Sequence, residues 1–276
     1  MKLAKEMYTC QGVPVIIFDN RCSASCLYCN LFRQTVSSEN ILAIGKKNVL
    51  KKLNDFKGAY FSPTTDCFLS ANAKLTHELI AKTWATNLNF VPLVVTKQII
   101  PDETIELFIA NKDRLVLQIS IPSLHEEALS ILEPGAAKIS DRLIMIKKLT
   151  DYGVKVIAVV MPWFNLDEDI NLLPRELARV GVIKAIIDTG LLQEKQRNKM
   201  ISSNNGLIQQ AALKLKFIKG TKKIGYTLPQ NIRNNLLRQA ITAFNKFGIK
   251  LVVCTADNSD LQDSLPLCTK FKHHNF

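Results

Sequence analysis

No stretch of this 276-residue sequence is apolar for long enough to cross a bilayer. Its longest apolar run, residues 156–164, is under half of the roughly 20 residues a spanning helix needs. Residues 1–10 are polar and charged and lack the apolar centre of a secretory leader. There is no internal repeat or low-complexity tract, and no glycine-rich dinucleotide loop, P-loop or Ser-His-Asp pattern. The expectation is therefore a soluble, cytoplasmic protein with no membrane partner. The seven cysteines do not read as a disulfide framework either. Their number is odd, three fall within eight residues, and reduced thiols in such a chain serve better as metal ligands.

What is present is a regular alternation. Runs rich in Val and Ile occur at 13–19, 59–62, 91–96, 115–121, 154–161, 183–188 and 250–254. Their near-continuous apolar character marks strands covered on both faces. Helical patterns lie between them at 37–56, 73–84, 141–152 and 231–247. Ser140 is the expected N-cap of the third helix, and Gly153 and Gly248 close the third and fourth. The alternation predicts an α/β fold with a parallel sheet, open or curled into a barrel. The polar stretch 202–206 reads as a flexible loop.

The net charge of +12 is unevenly spread. Residues 1–190 are nearly balanced, whereas residues 191–250 hold twelve Lys and Arg against one acid, Glu194. A localised positive field suits a polyanion, and a solvated basic surface is the plainer alternative.

Residues 19–31 read Asp-Asn-Arg-Cys-Ser-Ala-Ser-Cys-Leu-Tyr-Cys-Asn-Leu, directly after the first expected strand. The spacing C-x3-C-x2-C lets one loop wrap Cys22, Cys26 and Cys29 around one metal centre. Thiolates are the ligands of iron–sulfur clusters, and three of them leave one iron of a four-iron cube open. A zinc site is the alternative; it needs a fourth ligand, such as Cys10 or Cys67, and more often pairs two C-x2-C units.

This loop, with Tyr28 before its last cysteine, resembles the signature of the radical S-adenosylmethionine (radical SAM) superfamily. Further matches resemble its spore photoproduct lyase-like branch: Thr64-Thr65-Asp66, Leu75-Thr76-His77, Val95-Thr96-Lys97, Gln118-Ile119-Ser120, Leu132-Glu133-Pro134-Gly135-Ala136, Asp141-Arg142-Leu143 and Tyr152-Gly153-Val154. They run in order over residues 13–190. The resemblance implies a partial (β/α) barrel of the radical SAM type in residues 1–190. Residues 191–276 would then be a basic C-terminal region that completes the barrel and covers the substrate site. It implies a [4Fe–4S] cluster on Cys22, Cys26 and Cys29 and S-adenosyl-L-methionine as cofactor. It further implies a reductant such as flavodoxin or ferredoxin, and a radical that abstracts hydrogen from substrate. Thr65 and Asp66 would meet the cofactor's amino group, Lys97 and Ser120 its carboxylate and ribose, and Tyr28 its adenine. One departure stands out. Where the lyase has a hydrogen-donating cysteine three residues before the Asp, this chain has Pro63. Cys67 is the candidate replacement, and a buried core thiol the alternative reading of it.

Weaker candidates are Cys254 and Cys268 with His273 and His274, as a second metal or redox site. Trp163 or Phe164 could stack a base, and Asp188 could line the substrate site. Two substrate classes follow. The first is nucleic acid, for base repair or modification. Its phosphates would meet Lys195, Arg197, Lys199, Lys214, Lys216, Lys219, Lys222, Lys223, Arg233 and Arg238. Phe217 and Tyr226 could stack unpaired bases, with core packing the plainer reading of Phe217. The second is a peptide or small metabolite. A non-catalytic metal-binding module is the third reading.

Overall fold

The computed structural model describes residues 2–4, 14–18, 22–29, 41–43, 50–51, 53–61, 65–167, 169–219 and 224–254. Cys10, Pro63, Thr64, Lys222, Lys223, Cys268, His273 and His274 lie outside the described residues.

Seven parallel strands form the body of one sheet. In spatial order they are β2 (Val15–Ile17), β4 (Gly58–Phe61), β5 (Val91–Thr96), β6 (Val116–Ser120), β7 (Val156–Val160), β8 (Lys184–Ile187) and β11 (Lys250–Val253). Two short strands extend it beyond β2: β1 (Lys2–Ala4), antiparallel to β2, and β3 (Ile41–Ala43), antiparallel to β1. Six of the seven parallel strands lie within a run read from the sequence, and β4 begins one residue before its run, because a strand packed on both faces announces itself as an apolar run. Segment 37–56 departs from expectation: Ile41–Ala43 is a strand, and helix is described only at Leu50, Lys51 and Leu53. Its apolar residues satisfy a helical period, yet Ile41–Ala43 gain backbone partners on β1 instead.

The helices are α1 (Ser70–Thr86), α2 (Asp102–Ala110), α3 (Glu126–Leu132), α4 (Ile139–Asp151), α5 (Leu172–Arg179), α6 (Glu194–Ile201), α7 (Gly206–Leu213) and α8 (Gln230–Lys246). Helix α4 begins one residue before Ser140, with Lys138 at the N-cap position. The capping acceptor comes from another helix: Glu126 accepts from the amides of Ile139 (3.1 Å) and Ser140 (3.3 Å). Gly153 (φ 80°) and Gly248 (φ 74°) close α4 and α8 in the left-handed region, where a Cβ is costly. The polar stretch after α6 is a short turn into α7. There the Asn205 side chain accepts from the amides of Leu207 and Ile208.

Alternation along the strands makes two cores. One lies between sheet and helices and contains Ile16, Phe61, Val94, Leu117, Ile119, Ala158 and Ile187 with Leu79, Phe108, Ile146, Leu177 and Phe244. The other covers the opposite sheet face and contains Val15, Tyr60, Leu93, Val116, Ile157, Ile186 and Val252. Each fully buried large apolar side chain is worth about 1.5–3 kcal/mol. Two residues further along their strands, this second face turns polar. Gln118 and Ser120 follow Val116, Lys97 follows Val95, and Asp188 follows Ile186. The apolar layer fixes the sheet, and polar side chains gather at the carboxyl ends of its strands. Residues 191–254 contribute α6, α7, an antiparallel hairpin of β9 (Lys216–Lys219) and β10 (Ile224–Thr227), α8, and the seventh parallel strand.

Candidate functional site

The cysteine loop leaves the carboxyl end of β2 and is clamped by the segment that follows α3. Leu27 donates its amide to the Leu132 carbonyl (2.9 Å), and Gly135 donates to the Ala24 carbonyl (3.0 Å). The approach is so close that a Cβ on Gly135 would stand 2.3 Å from the Ser23 carbonyl oxygen and 2.7 Å from Ala24 Cα. Within the loop, Ser25 takes the left-handed conformation (φ 49°) and Cys29 donates to the Cys26 carbonyl (3.1 Å).

Cys22, Cys26 and Cys29 are each half-buried. Burial pushes the Cys26 thiol up to about 12; Lys97 opposes this, while Glu133, Cys29 and Cys22 add to it. The sulfurs thus lie within electrostatic reach of one another. Among the described residues, no three Cys, His, Asp or Glu side chains yet converge as a finished metal site. The donor set nevertheless fits an iron–sulfur cluster: three soft ligands on one loop, two of them flanking a half-buried thiol whose proton a metal would displace.

Beside the loop lies a buried ionic network. Glu133 is 2 % exposed. Its Oε1 accepts from Lys97 Nζ (2.8 Å) and from the Tyr28 hydroxyl, and its Oε2 accepts from Arg142 (2.8 Å). Arg142 is itself 1 % exposed and also donates to the carbonyls of Ser120 (2.8 Å) and Ala137 (2.9 Å). Lys97 Nζ reaches Tyr28 Oη and Ser120 Oγ, both at 2.9 Å. Burial favours a neutral Glu133, but Lys97 and then Arg142 overcome it and hold the carboxyl at about 2, against an ordinary 4.5. Burial, reinforced by the Glu133 charge, drives the Tyr28 hydroxyl well above its ordinary range, so it stays a donor. The Tyr28 ring meets Phe164 edge-on, with centroids 5.9 Å apart.

Asp66 is the second pin. Its carboxylate accepts from the amides of Lys97 (2.6 Å) and Phe68 (2.9 Å) and from the Thr96 hydroxyl (2.8 Å). Burial still raises its pKa despite these donors. Asp66 therefore shapes the turn that presents Lys97. Thr65 is buried beside it. So Tyr28, Lys97 and Ser120 come together with the loop, and Asp66 braces them from the strand end. Cys67 is fully buried in the core between sheet and helices, with its Sγ 3.9 Å from the Val95 carbonyl. Trp163 is buried, and Asp188 accepts from the Gly190 amide (3.2 Å). Half-buried Cys254 packs on the second sheet face, in the position beside Asp188.

In the sequence Glu133, Gly135 and Arg142 stand only as parts of matching stretches with no role of their own, and nothing there marks Gln196. The usable signal was an acid followed by Pro-Gly at a helix end; no spacing rule ties it to a loop over 100 residues earlier. Gln196 accepts from the Gln193 amide (2.7 Å), and its Nε2 donates to the Cys29 carbonyl.

The basic segment also takes definite form. Lys195, Lys199, Lys214, Lys216, Lys219 and Arg238 are exposed, whereas Arg233 is 3 % exposed and faces inward from the first turn of α8. Phe217 is 55 % exposed rather than in the core, because its hairpin stands apart from the main sheet. It meets Tyr226 edge-on at 5.4 Å, and the Arg197 guanidinium sits 4.7 Å from the centre of the Tyr226 ring.

No protein-family profile matches the chain. It is similar in structure to spore photoproduct lyase complexed with dinucleoside spore photoproduct: TM-score 0.56 and 19% identity, over 82% of this chain and 72% of that one. A mutant of that lyase with bound AdoMet and dinucleoside spore photoproduct gives TM-score 0.57 over the same shares at 19% identity. SuiB of Streptococcus suis gives TM-score 0.55 and 13% identity, over 87% of this chain but 48% of SuiB. In sequence, 128 residues are 30% identical to the uncharacterized protein ORF301 of Acidianus two-tailed virus, covering 44% of this chain and 42% of that protein. The fold is thus α/β, a largely parallel sheet alternating with helices, similar to that of spore photoproduct lyase.

Proposed function

We propose that this chain is a radical SAM enzyme acting on nucleic acid. The observation that carries the first half is the joining of three thiols on one clamped loop to Lys97, Ser120 and Tyr28 at the carboxyl ends of parallel strands. Ligands of α/β sheets bind at such ends. Cys22, Cys26 and Cys29 would hold a [4Fe–4S] cluster. When bound, the cluster and S-adenosyl-L-methionine supply the electron and the radical that removes a substrate hydrogen.

The chain's own residues prepare the place. Lys97 would offer an ammonium and Ser120 a hydroxyl to the cofactor's carboxylate and ribose, Tyr28 would pack near its adenine, and Thr65 and Asp66 would meet its amino group. Glu133 and Arg142 lock Lys97 and the loop in register, so little reorganisation is needed on binding. Phe164 sits against Tyr28 where an adenine could stack. Cys67, enclosed in the outer core, is poorly placed to return hydrogen to a substrate on the opposite face.

The second half rests on the basic segment. Its helix α6 touches the cysteine loop through Gln196, and its hairpin carries an exposed Phe217 among exposed lysines. Lysines bind phosphates without sequence choice, and an exposed aromatic stacks on unpaired bases. A base within a duplex would have to be flipped to reach the loop. The test is anaerobic reconstitution with iron and sulfide, a reductant such as flavodoxin, and S-adenosylmethionine, following deuterium from labelled oligonucleotides into 5′-deoxyadenosine. Cleavage of the cofactor with transfer from an oligonucleotide supports the reading. No cleavage refutes the enzyme. Cleavage with a dissociation constant above about 100 μM for both DNA and RNA, no better than non-specific contact, moves the substrate to a peptide or metabolite.

A further inference from the structure

The basic segment and the cysteine loop are far apart in sequence, yet one side chain joins them. Gln196 lies at the third position of α6. Its Oε1 accepts the Gln193 amide (2.7 Å) and so fixes the start of the helix, while its Nε2 donates to the carbonyl of Cys29. The next residue, Arg197, covers the Tyr226 ring at 4.7 Å and donates to the Ala212 carbonyl (3.1 Å). Tyr226 exchanges two backbone hydrogen bonds with Leu192 (2.7 and 2.8 Å), just before α6, and packs on exposed Phe217. An unbroken line of contacts therefore runs from the hairpin surface through Tyr226 and α6 to the third cysteine.

We propose that Gln196 is a positioning residue that couples the basic hairpin face to the cysteine loop, so that a nucleic acid bound on that face tightens the loop's hold on its cluster. The proposal rests on the reading above, that the loop holds a cluster and the face takes a nucleic acid. Physically, an N–H donated to a ligand residue's carbonyl fixes the loop and places a positive dipole end beside the centre. Such outer contacts typically govern metal retention 10- to 100-fold. Ordering the hairpin orders Tyr226, Arg197 and α6, and Gln196 transmits that order to Cys29. The coupling is reciprocal at equilibrium: a loaded cluster must raise affinity for the strand by the same factor that the strand adds to the affinity for the cluster.

The informative variant is Gln196→Glu. A Glu at this position still accepts the Gln193 amide, as in a capping box, so the helix start survives, but the donor to Cys29 is gone. Reconstituted protein is challenged with EDTA, and iron release is followed by visible absorbance with and without a saturating single-stranded oligonucleotide. The reduced protein's EPR spectrum is recorded in parallel. In the wild type the oligonucleotide should slow release about fivefold or more. In Gln196→Glu release should be roughly 10- to 100-fold faster, the EPR signal should shift, and the oligonucleotide should no longer protect. Gln196→Leu, which also loses the helix cap, should show the same loss of protection. Wild-type release rates in Gln196→Glu, or protection by the oligonucleotide intact in it, overturn the proposal. A wild type that loads no iron or binds no oligonucleotide refutes the underlying function instead, and does so before any variant is compared.

Discussion

Replacing Glu133 with Gln tests the physical core of the site. The change keeps shape and volume but removes the charge that Lys97 and Arg142 face. The carboxyl titrates at about 2 in the folded chain against 4.5 ordinarily. At about 1.4 kcal/mol per pH unit, that difference corresponds to about 3 kcal/mol of stability at neutral pH. Removing one member of a buried pair costs about 3–5 kcal/mol by independent reasoning. Arg142 keeps its two carbonyl acceptors, so the lower end applies. The sign follows from the depressed pKa. The stabilisation is complete above 4.5 and fades as pH falls towards about 2, with about 2 kcal/mol gone by pH 3. The assay is urea unfolding of wild type and Glu133→Gln at pH 7 and pH 3. With a slope of about 3 kcal/mol/M, the midpoint at pH 7 should fall by about 1 M. Taking the difference between the proteins cancels every other titrating group. A loss below about 1 kcal/mol at pH 7, or an equal loss at pH 3, refutes the argument.

Ala at Cys22, Cys26 or Cys29 should abolish iron binding after anaerobic reconstitution; unchanged iron content in any single variant ends the cluster assignment. Lys97→Ala and Asp66→Ala should weaken S-adenosylmethionine binding by roughly 10- to 150-fold in calorimetry while iron stays bound, and wild-type affinity contradicts their roles. Gly135→Ala should cost about 1–3 kcal/mol in thermal unfolding and lower iron retention, since the new Cβ meets backbone at 2.3 Å; a neutral outcome would falsify the clamp. If the basic segment engages about five phosphates, log affinity should fall with log salt at roughly −3.5 on single strands and −4.5 on duplex. Charge reversal at Lys214, Lys216, Lys222 and Lys223 should flatten that slope without impairing cofactor cleavage in the absence of substrate; an unchanged slope places the phosphates elsewhere.

The sequence by itself determined the sheet and the thiols. Val91–Thr96 and Val156–Val160 are legible because a strand buried on both faces needs no partner to look apolar. Cys22, Cys26 and Cys29 are legible because a single loop must supply all three ligands within a short span. What could not be read is whatever depends on contact between distant segments. The start of α4 is capped by Glu126 rather than Ser140, since the helix begins at Ile139 and leaves Ser140 inside its first turn, where a carboxylate from α3 accepts the free amides. Ile41–Ala43 became a strand because β1 offered a ladder. Phe217 is exposed because its hairpin stands apart from the main sheet. Glu133 and Gln196 acquire their roles only when chain segments more than 100 residues apart meet at the cysteine loop, and Arg142 joins them through Glu133. Burial then turns ordinary polar side chains into fixed charges and donors, and burial is a property of the folded chain alone.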